Sequence, residues 1–100
     1  MRYGDGQEVR LWDRVETWPG CRGIIVMSID TEEFTPEFPR EEWLYLGSGV
    51  MIDTEQTGLL HLSEAEPELV LVSRGGPPTP AELAALRDAQ SRHRASGGGR

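Results

Sequence analysis

The sequence has no lysine and no asparagine, a single cysteine, two histidines and no long apolar run. Each shortage removes a class of function. All the positive charge sits on ten arginines, against seventeen aspartates and glutamates, for a net charge of −7. The balance is uneven along the chain. Residues 1–74 hold six arginines against fifteen acids, a net −9, whereas residues 75–100 hold four arginines against Glu82 and Asp88, a net +2. A domain at −9 repels phosphate backbones, because protein affinity for nucleic acid rests on basic side chains that displace counterions. Nucleic acid is therefore excluded as a partner. The same sign disfavours an anionic lipid surface, and no run approaches the roughly 18–20 apolar residues that span a bilayer. The opening Met1-Arg2-Tyr3-Gly4-Asp5 has no apolar leader, which predicts a cytoplasmic location. Cys21 has no partner for an internal disulfide, in keeping with a reducing compartment.

The scarcity of Cys and His also leaves no catalytic set. A nucleophilic Cys21 needs a histidine base, and the two histidines are His61, inside an apolar strand, and His93, near the end of the chain. One Cys, one strand His and scattered carboxylates lack the clustered spacing of zinc ligands. Asp30-Thr31-Glu32-Glu33 lacks the alternating ligands and central glycine of a calcium loop. Gly4-Asp5-Gly6 and Gly47-Ser48-Gly49 read as turns, since neither opens a helix after a strand. The expectation is a chain with no catalytic residues, no metal and no cofactor.

What the sequence does contain is a compact set of short strands. Of the 22 Leu, Ile, Val and Phe residues, 20 lie in residues 1–74. There, apolar runs punctuated by Gly, Pro and Asp predict five strands: Glu8–Thr17, Gly23–Ile29, Val50–Thr54, Gly58–Ser63 and Glu68–Ser73. Val9, Leu11 and Val15 share one parity and Asp13 interrupts it, which predicts a bend near Trp12-Asp13. Trp12 falls on the outer parity, and Trp18 is expected in the core. Ile24-Ile25-Val26-Met27 and Leu69-Val70-Leu71-Val72 are apolar on both parities, so a second layer must cover their outer face. Five short bent strands favour a small closed barrel, because closure removes edges that a small sheet cannot protect. The fold class is thus mainly β, a five-stranded SH3-like barrel over residues 1–74. A Gly/Pro linker at 75–79, a short C-terminal helix at 80–93 and a disordered tail at 94–100 follow. Thr79, Pro80 and Glu82 signal the helix start as cap, first helical residue and capping-box acid. Its apolar stripe is thin: Leu83, Leu86 and Ala89 or Gln90.

The longest irregular segment, Asp30 to Gly49, lies between the second and third strands, with one helical turn expected at Pro39–Trp43. Asp30, Glu32, Glu33, Glu37, Glu41 and Glu42 against Arg40 give −5 in fourteen residues. Phe34, Phe38, Trp43 and Tyr45 interleave with these acids. Acids alone would be a solvated face, and aromatics alone would be core. The combination reads as a protein-binding surface, with Phe34, Phe38 and Trp43 as anchors and the acids steering a basic partner; Phe34 and Phe38 are the expected exposed pair because prolines flank them. The competing reading has Trp43 and Tyr45 closing one end of the barrel while the glutamates stay solvated.

Two resemblances follow from these residues. The run Asp5 to Val15, followed by Gly23-Ile24-Ile25-Val26, resembles the opening hairpin of SH3-like barrels of the KOW and Tudor kind, with Trp12 standing where such turns usually carry glycine. Ser28 to Phe34, Trp43-Leu44-Tyr45-Leu46, Gly49 to Ile52, Gly58 to His61 and Glu68 to Val72 are similar to small bacterial proteins of toxin and immunity loci. That resemblance implies a non-enzymatic immunity protein that binds a cognate toxin domain and blocks its active site or substrate surface. The alternative is a self-associating structural or regulatory adaptor, a homodimer that covers its outward apolar strand faces.

Overall fold

A computed structural model describes residues 1–98. Five antiparallel strands form one sheet: β1 (Arg14–Trp18), β2 (Cys21–Ser28), β3 (Val50–Thr54), β4 (Gly58–Leu62) and β5 (Val70–Ser73), in the order β4-β3-β2-β1-β5. β4 and β5 are the two edges. The segment between β2 and β3 carries one short helix, α1 (Arg40–Trp43), followed by a 3-10 turn at Leu44–Leu46. The long helix α2 (Pro80–Gly98) follows β5 and runs past the expected end at 93. Of the tail expected to be disordered, residues 99 and 100 lie outside the described residues.

The first strand is shorter than expected, and the reason is the bend. Trp12 adopts φ 71°, which turns the chain just before β1. Upstream of it, residues 1–9 fold back as their own small loop, with Arg2 bridged to Glu8 and the Val9 N–H donating to the Met1 carbonyl. The hairpin β3–β4 closes through Glu55-Gln56-Thr57 as the sequence predicts, in perfect register from Thr54↔Gly58 to Val50↔Leu62.

β2 and β3 are buried on both faces, so the chain builds two apolar clusters. On the inner face of the sheet lie Tyr3, Val9, Val15, Ile25, Val50, Ile52 and Leu69. On the outer face lie Ile24, Val26, Met27, Ile29, Met51 and Leu86, with Trp12, Phe34, Phe38, Trp43 and Leu46 packed against them. A register shift between Ile25 and Met27 explains how consecutive residues Val26 and Met27 both face outward. The extra residue of a bulge resets the alternation. The second layer required by the two-sided pattern is thus present: α2 and the β2–β3 segment supply it. At about 1.5–3 kcal/mol per fully buried large aliphatic side chain, neither face is dispensable in so small a protein.

Polar contacts fix α2 where its thin stripe of Leu86, Ala89 and Gln90 meets the sheet. The buried Asp53 carboxylate accepts from Gln90 Nε2 at 2.6 Å and pairs with Arg87 at 2.8 Å. Gln90 Nε2 also donates to the Thr54 carbonyl at 2.9 Å. Thr79 caps the helix by accepting from the Glu82 N–H at 3.1 Å. Glu82 does not complete a capping box; its carboxylate instead takes both Nε and Nη2 of Arg14, at 2.8 and 2.6 Å. Tertiary pairing outcompetes the local cap because the guanidinium offers two parallel donors.

A second buried carboxylate organises the bend. Asp13 is 1% exposed and accepts from the Tyr3 hydroxyl at 2.6 Å, the Arg10 N–H at 2.9 Å and Arg74 at 3.1 Å. Burial, and then the adjacent carboxylate, push the Tyr3 phenol far above its ordinary pKa and keep it a donor. Substituting Asp13→Ala strands a buried hydroxyl and N–H, and is expected to destabilise the fold by about 3 kcal/mol. Arg74→Ala, at a partly exposed position, should lose less. Urea denaturation midpoints test this; an Asp13→Ala midpoint equal to that of the unsubstituted protein would remove Asp13 from this role.

Candidate protein-binding surface

The acidic segment predicted as a binding loop divides into acids that hold the fold and acids that face solvent. Asp30 takes the Gly49 N–H at 2.8 Å and the Met1 amine at 2.8 Å. Gly49 sits at φ 94°, and a Cβ there would overlap the Leu62 carbonyl, so only glycine allows this approach. Glu33 accepts from Arg10 Nε at 2.9 Å, from the Leu11 N–H at 3.2 Å and from the Thr31 hydroxyl at 2.5 Å. Burial works to raise both carboxyl pKa values. The Gly49 N–H and Met1 amine outweigh it at Asp30, and Arg10, Thr31 and Leu11 outweigh it at Glu33, so both stay below the usual carboxylate range. Glu32, at φ 52°, pairs with Arg40 at 3.2 Å across the surface. Glu37, Glu41 and Glu42 are exposed and, among the described residues, form no ion pair.

The aromatics differ from expectation. Phe34 and Phe38, expected as the exposed pair, are half-buried against the outer cluster. Phe38 and Trp43 meet with ring centroids 5.6 Å apart. The apolar outer face of β2 and β3 needs a cover, and these rings lie closest in the chain to provide it. Trp43 packs against the outer cluster and not at the end of a barrel, and Tyr45, its partner in the competing reading, is 77% exposed. Trp18 is half-buried rather than core, its Nε1 donating to Gln56 at 3.3 Å.

Between this cover and α2 the outer face stays open as a cleft of about 530 Å³. Its walls are Trp12, Val26, Phe38, Leu59 and Leu83, with Glu37 among the lining residues and the Asp53–Arg87 pair beneath. Leu59 is 50% exposed where the cleft meets the sheet edge. Of the residues predicted for the site, Glu37 and Phe38 line the cleft, and Glu41, Glu42 and Trp43 follow on α1. Asp30, Glu32, Glu33 and Phe34 do not line it. Sequence reasoning left Val26, Leu59 and Leu83 out of the site; the available signals were the two-parity apolar runs for Val26 and Leu59 and the apolar stripe of the C-terminal helix for Leu83. It noted Trp12 without placing it in the site.

Trp12 carries backbone strain. A bulky residue at φ 71° is an outlier. It is held there by its N–H donating to the Ile25 carbonyl at 2.8 Å and by Arg14 Nη1 on its own carbonyl at 2.6 Å.

Cys21 and His61 are not brought together. Cys21 is buried, and burial pushes its thiol pKa up. His61 lies toward the other end of the β3–β4 hairpin with Nε2 against the Ser48 carbonyl at 2.9 Å. At about 3.4 Å of rise per residue, the registers of Thr54 and Met51 alone put roughly 10 Å between these levels. Among the described residues no group of three His, Cys, Asp or Glu is placed to hold a metal ion, and no helix is long and apolar enough to cross a membrane. No protein-family model, no curated protein and no solved structure matches the chain.

Two predictions follow from this geometry. Because the folded-state pKa values of Asp30 and Glu33 are lowered, their stabilisation is full above the ordinary carboxylate range and is lost as pH falls below it. Amide exchange at Ser28, Glu33 and Gly49 should therefore accelerate between pH 5 and pH 3 beyond the intrinsic rate, and a flat protection profile would contradict the assignment. At position 12, Gly should be more stable than Ala by about 1 kcal/mol, the reverse of the usual order, because only glycine is unstrained at that φ. Thermal unfolding of Trp12→Gly and Trp12→Ala compares them directly, and Ala at or above Gly would remove the strain argument.

Proposed function

We propose that this protein is a non-catalytic binding module that takes a basic protein partner on its outer face, and that its concrete role is immunity: occluding the active site or substrate surface of a cognate toxin domain in the cytoplasm. The observation that carries this reading is the apolar cleft beside exposed Glu37, continuous with Glu41 and Glu42 on α1. Apolar walls give a desolvated contact its affinity, and unpaired surface acids steer and orient a basic partner. Binding is thus assigned to Glu37, Phe38, Glu41 and Glu42, while Trp43, packed in the cover and not lining the cleft, supports Phe38. Asp30, Glu32, Glu33 and Phe34 are assigned to shaping the segment. Strained residues cluster at ligand clamps, and the strain of about 1–3 kcal/mol at Trp12 fits a side chain held for a contact. Five antiparallel strands with an apolar inner cluster support reading residues 1–74 as an SH3-like domain, although the sheet keeps two open edges where a closed barrel has none. The separation of Cys21 from His61 supports a non-enzymatic role.

One observation favours the second reading, an adaptor that self-associates. Val70 and Val72 on edge strand β5 are 51% and 44% exposed. Sedimentation decides it: a homodimer lost on Val72→Lys would support the adaptor.

The leading reading is tested by co-expressing the protein with the product of the gene neighbouring its own and measuring the affinity of the pair. The triple substitution Glu37→Gln, Glu41→Gln, Glu42→Gln should lower affinity by about tenfold or more, mainly through the association rate, and shrink its salt dependence. Protection of growth should weaken in parallel. Unchanged affinity in a folded triple variant would overturn the assignment of these acids.

A further inference from the structure

The two edges of the sheet are not equivalent. β4 pairs with β3 in an unbroken ladder, whereas the β1–β5 ladder shifts register between Arg14 and Val15. A bulged edge resists further pairing and a regular one invites it. Among the described residues, the main chain of Leu59–Leu62 makes no backbone hydrogen bond outside its ladder with β3. Opposed residues in a ladder share a face. Leu59 and His61, opposite Asp53 and Met51, therefore face outward, and Leu60 and Leu62, opposite Ile52 and Val50, face inward.

Each face of β4 adjoins a cleft. The outer one is the apolar cleft that meets Gly58 and Leu59. A second, of about 440 Å³, meets Leu60 and Leu62 on the inner face, with Thr17 and Trp18 from the end of β1 and Glu66 and Glu68 from the segment before β5. Its chemistry is different. Thr17 is 3% exposed, and its hydroxyl oxygen has no hydrogen-bond partner among the described residues. A buried hydroxyl left unpaired calls for a donor or acceptor from elsewhere. Glu66 and Glu68 set the sign of that ligand, and the Trp18 ring offers a face to a cation.

We infer that β4 is a docking edge for an extended segment of the partner protein, which adds as a further antiparallel strand with alternating apolar and basic side chains. A strand presents successive side chains to opposite faces, so alternate residues reach the two clefts. Apolar side chains enter the outer cleft beside Leu59 and Phe38. Lysine or arginine side chains enter the inner one, where a charged N–H donates to Thr17 Oγ1 and pairs with Glu66 and Glu68. This rests on the reading of the outer face as the partner's surface, and adds main-chain pairing as the mode of attachment.

The test uses an acetylated, amidated heptapeptide alternating lysine and leucine, titrated into the isotope-labelled full chain and followed by amide resonances and hydrogen exchange. Shifts and new protection are expected at Leu59–Leu62, with a shift at Thr17. A glutamate–leucine peptide of the same pattern should bind about tenfold or more weakly, and so should a lysine–leucine peptide N-methylated on alternate residues. No binding at millimolar lysine–leucine peptide, or equal binding of the N-methylated form, would overturn strand addition. Shifts confined to Trp12, Phe38 and Leu83 would also overturn it while leaving the outer cleft as the partner's surface. Failure of that broader reading shows separately, in the glutamate variants tested against the natural partner.

Discussion

Burial of β2 and β3 on both faces is the constraint from which the rest of the structure follows. A sheet with one apolar face needs one core. Here Ile25 and Ile52 face one cluster while Ile24, Val26, Met27 and Met51 face another, so the chain must find cover for both. Leu69 and the N-terminal residues Tyr3 and Val9 cover the inner cluster. The outer one is closed by α2 and by the aromatics of the β2–β3 segment. That segment is long because it has to travel across the outer face, and its rings are half-buried for the same reason.

This division of labour explains why the acidity of the segment is not uniform in its effect. Asp30 and Glu33 are consumed in pinning both the turn after β2 and the start of the segment to Gly49, Arg10 and the Met1 amine. Glu37, Glu41 and Glu42 lie beyond those anchors and keep their charge for solvent. The cover leaves a gap where Phe38 and Leu83 do not meet, and Trp12 is forced into a left-handed backbone conformation at its margin. Incomplete cover beside unpaired acid is the feature on which the proposed binding surface rests.

Much of the fold was legible because its signals are local. The strands β2 to β5 follow from apolar runs bounded by Gly, Pro and Asp, and the bend near Trp12-Asp13 follows from broken parity. The two-sided pattern of Ile24 to Met27 announced a second layer. The local pattern assigns Glu82 to a capping box, but its real partner, Arg14, lies on another element and is not readable from neighbouring residues. The exposure of Phe34 and Phe38 was misread for a related reason: neighbouring prolines say that a segment is irregular, not which face it covers. Trp18 and Tyr45 failed in the same way. Both are anchored, or left free, by contacts between residues distant in sequence. In the candidate site, charge was readable as composition, but its partition into structural and free acids needed the tertiary partners.

The most direct measurement is hydrogen–deuterium exchange of the full chain with and without the basic partner proposed above. The account predicts new protection at Leu59–Leu62 and at Thr35–Glu42, the two margins of the outer cleft, with Val70–Ser73 unchanged. Protection confined to Val70–Ser73, with both cleft margins exchanging as in the free protein, would contradict it.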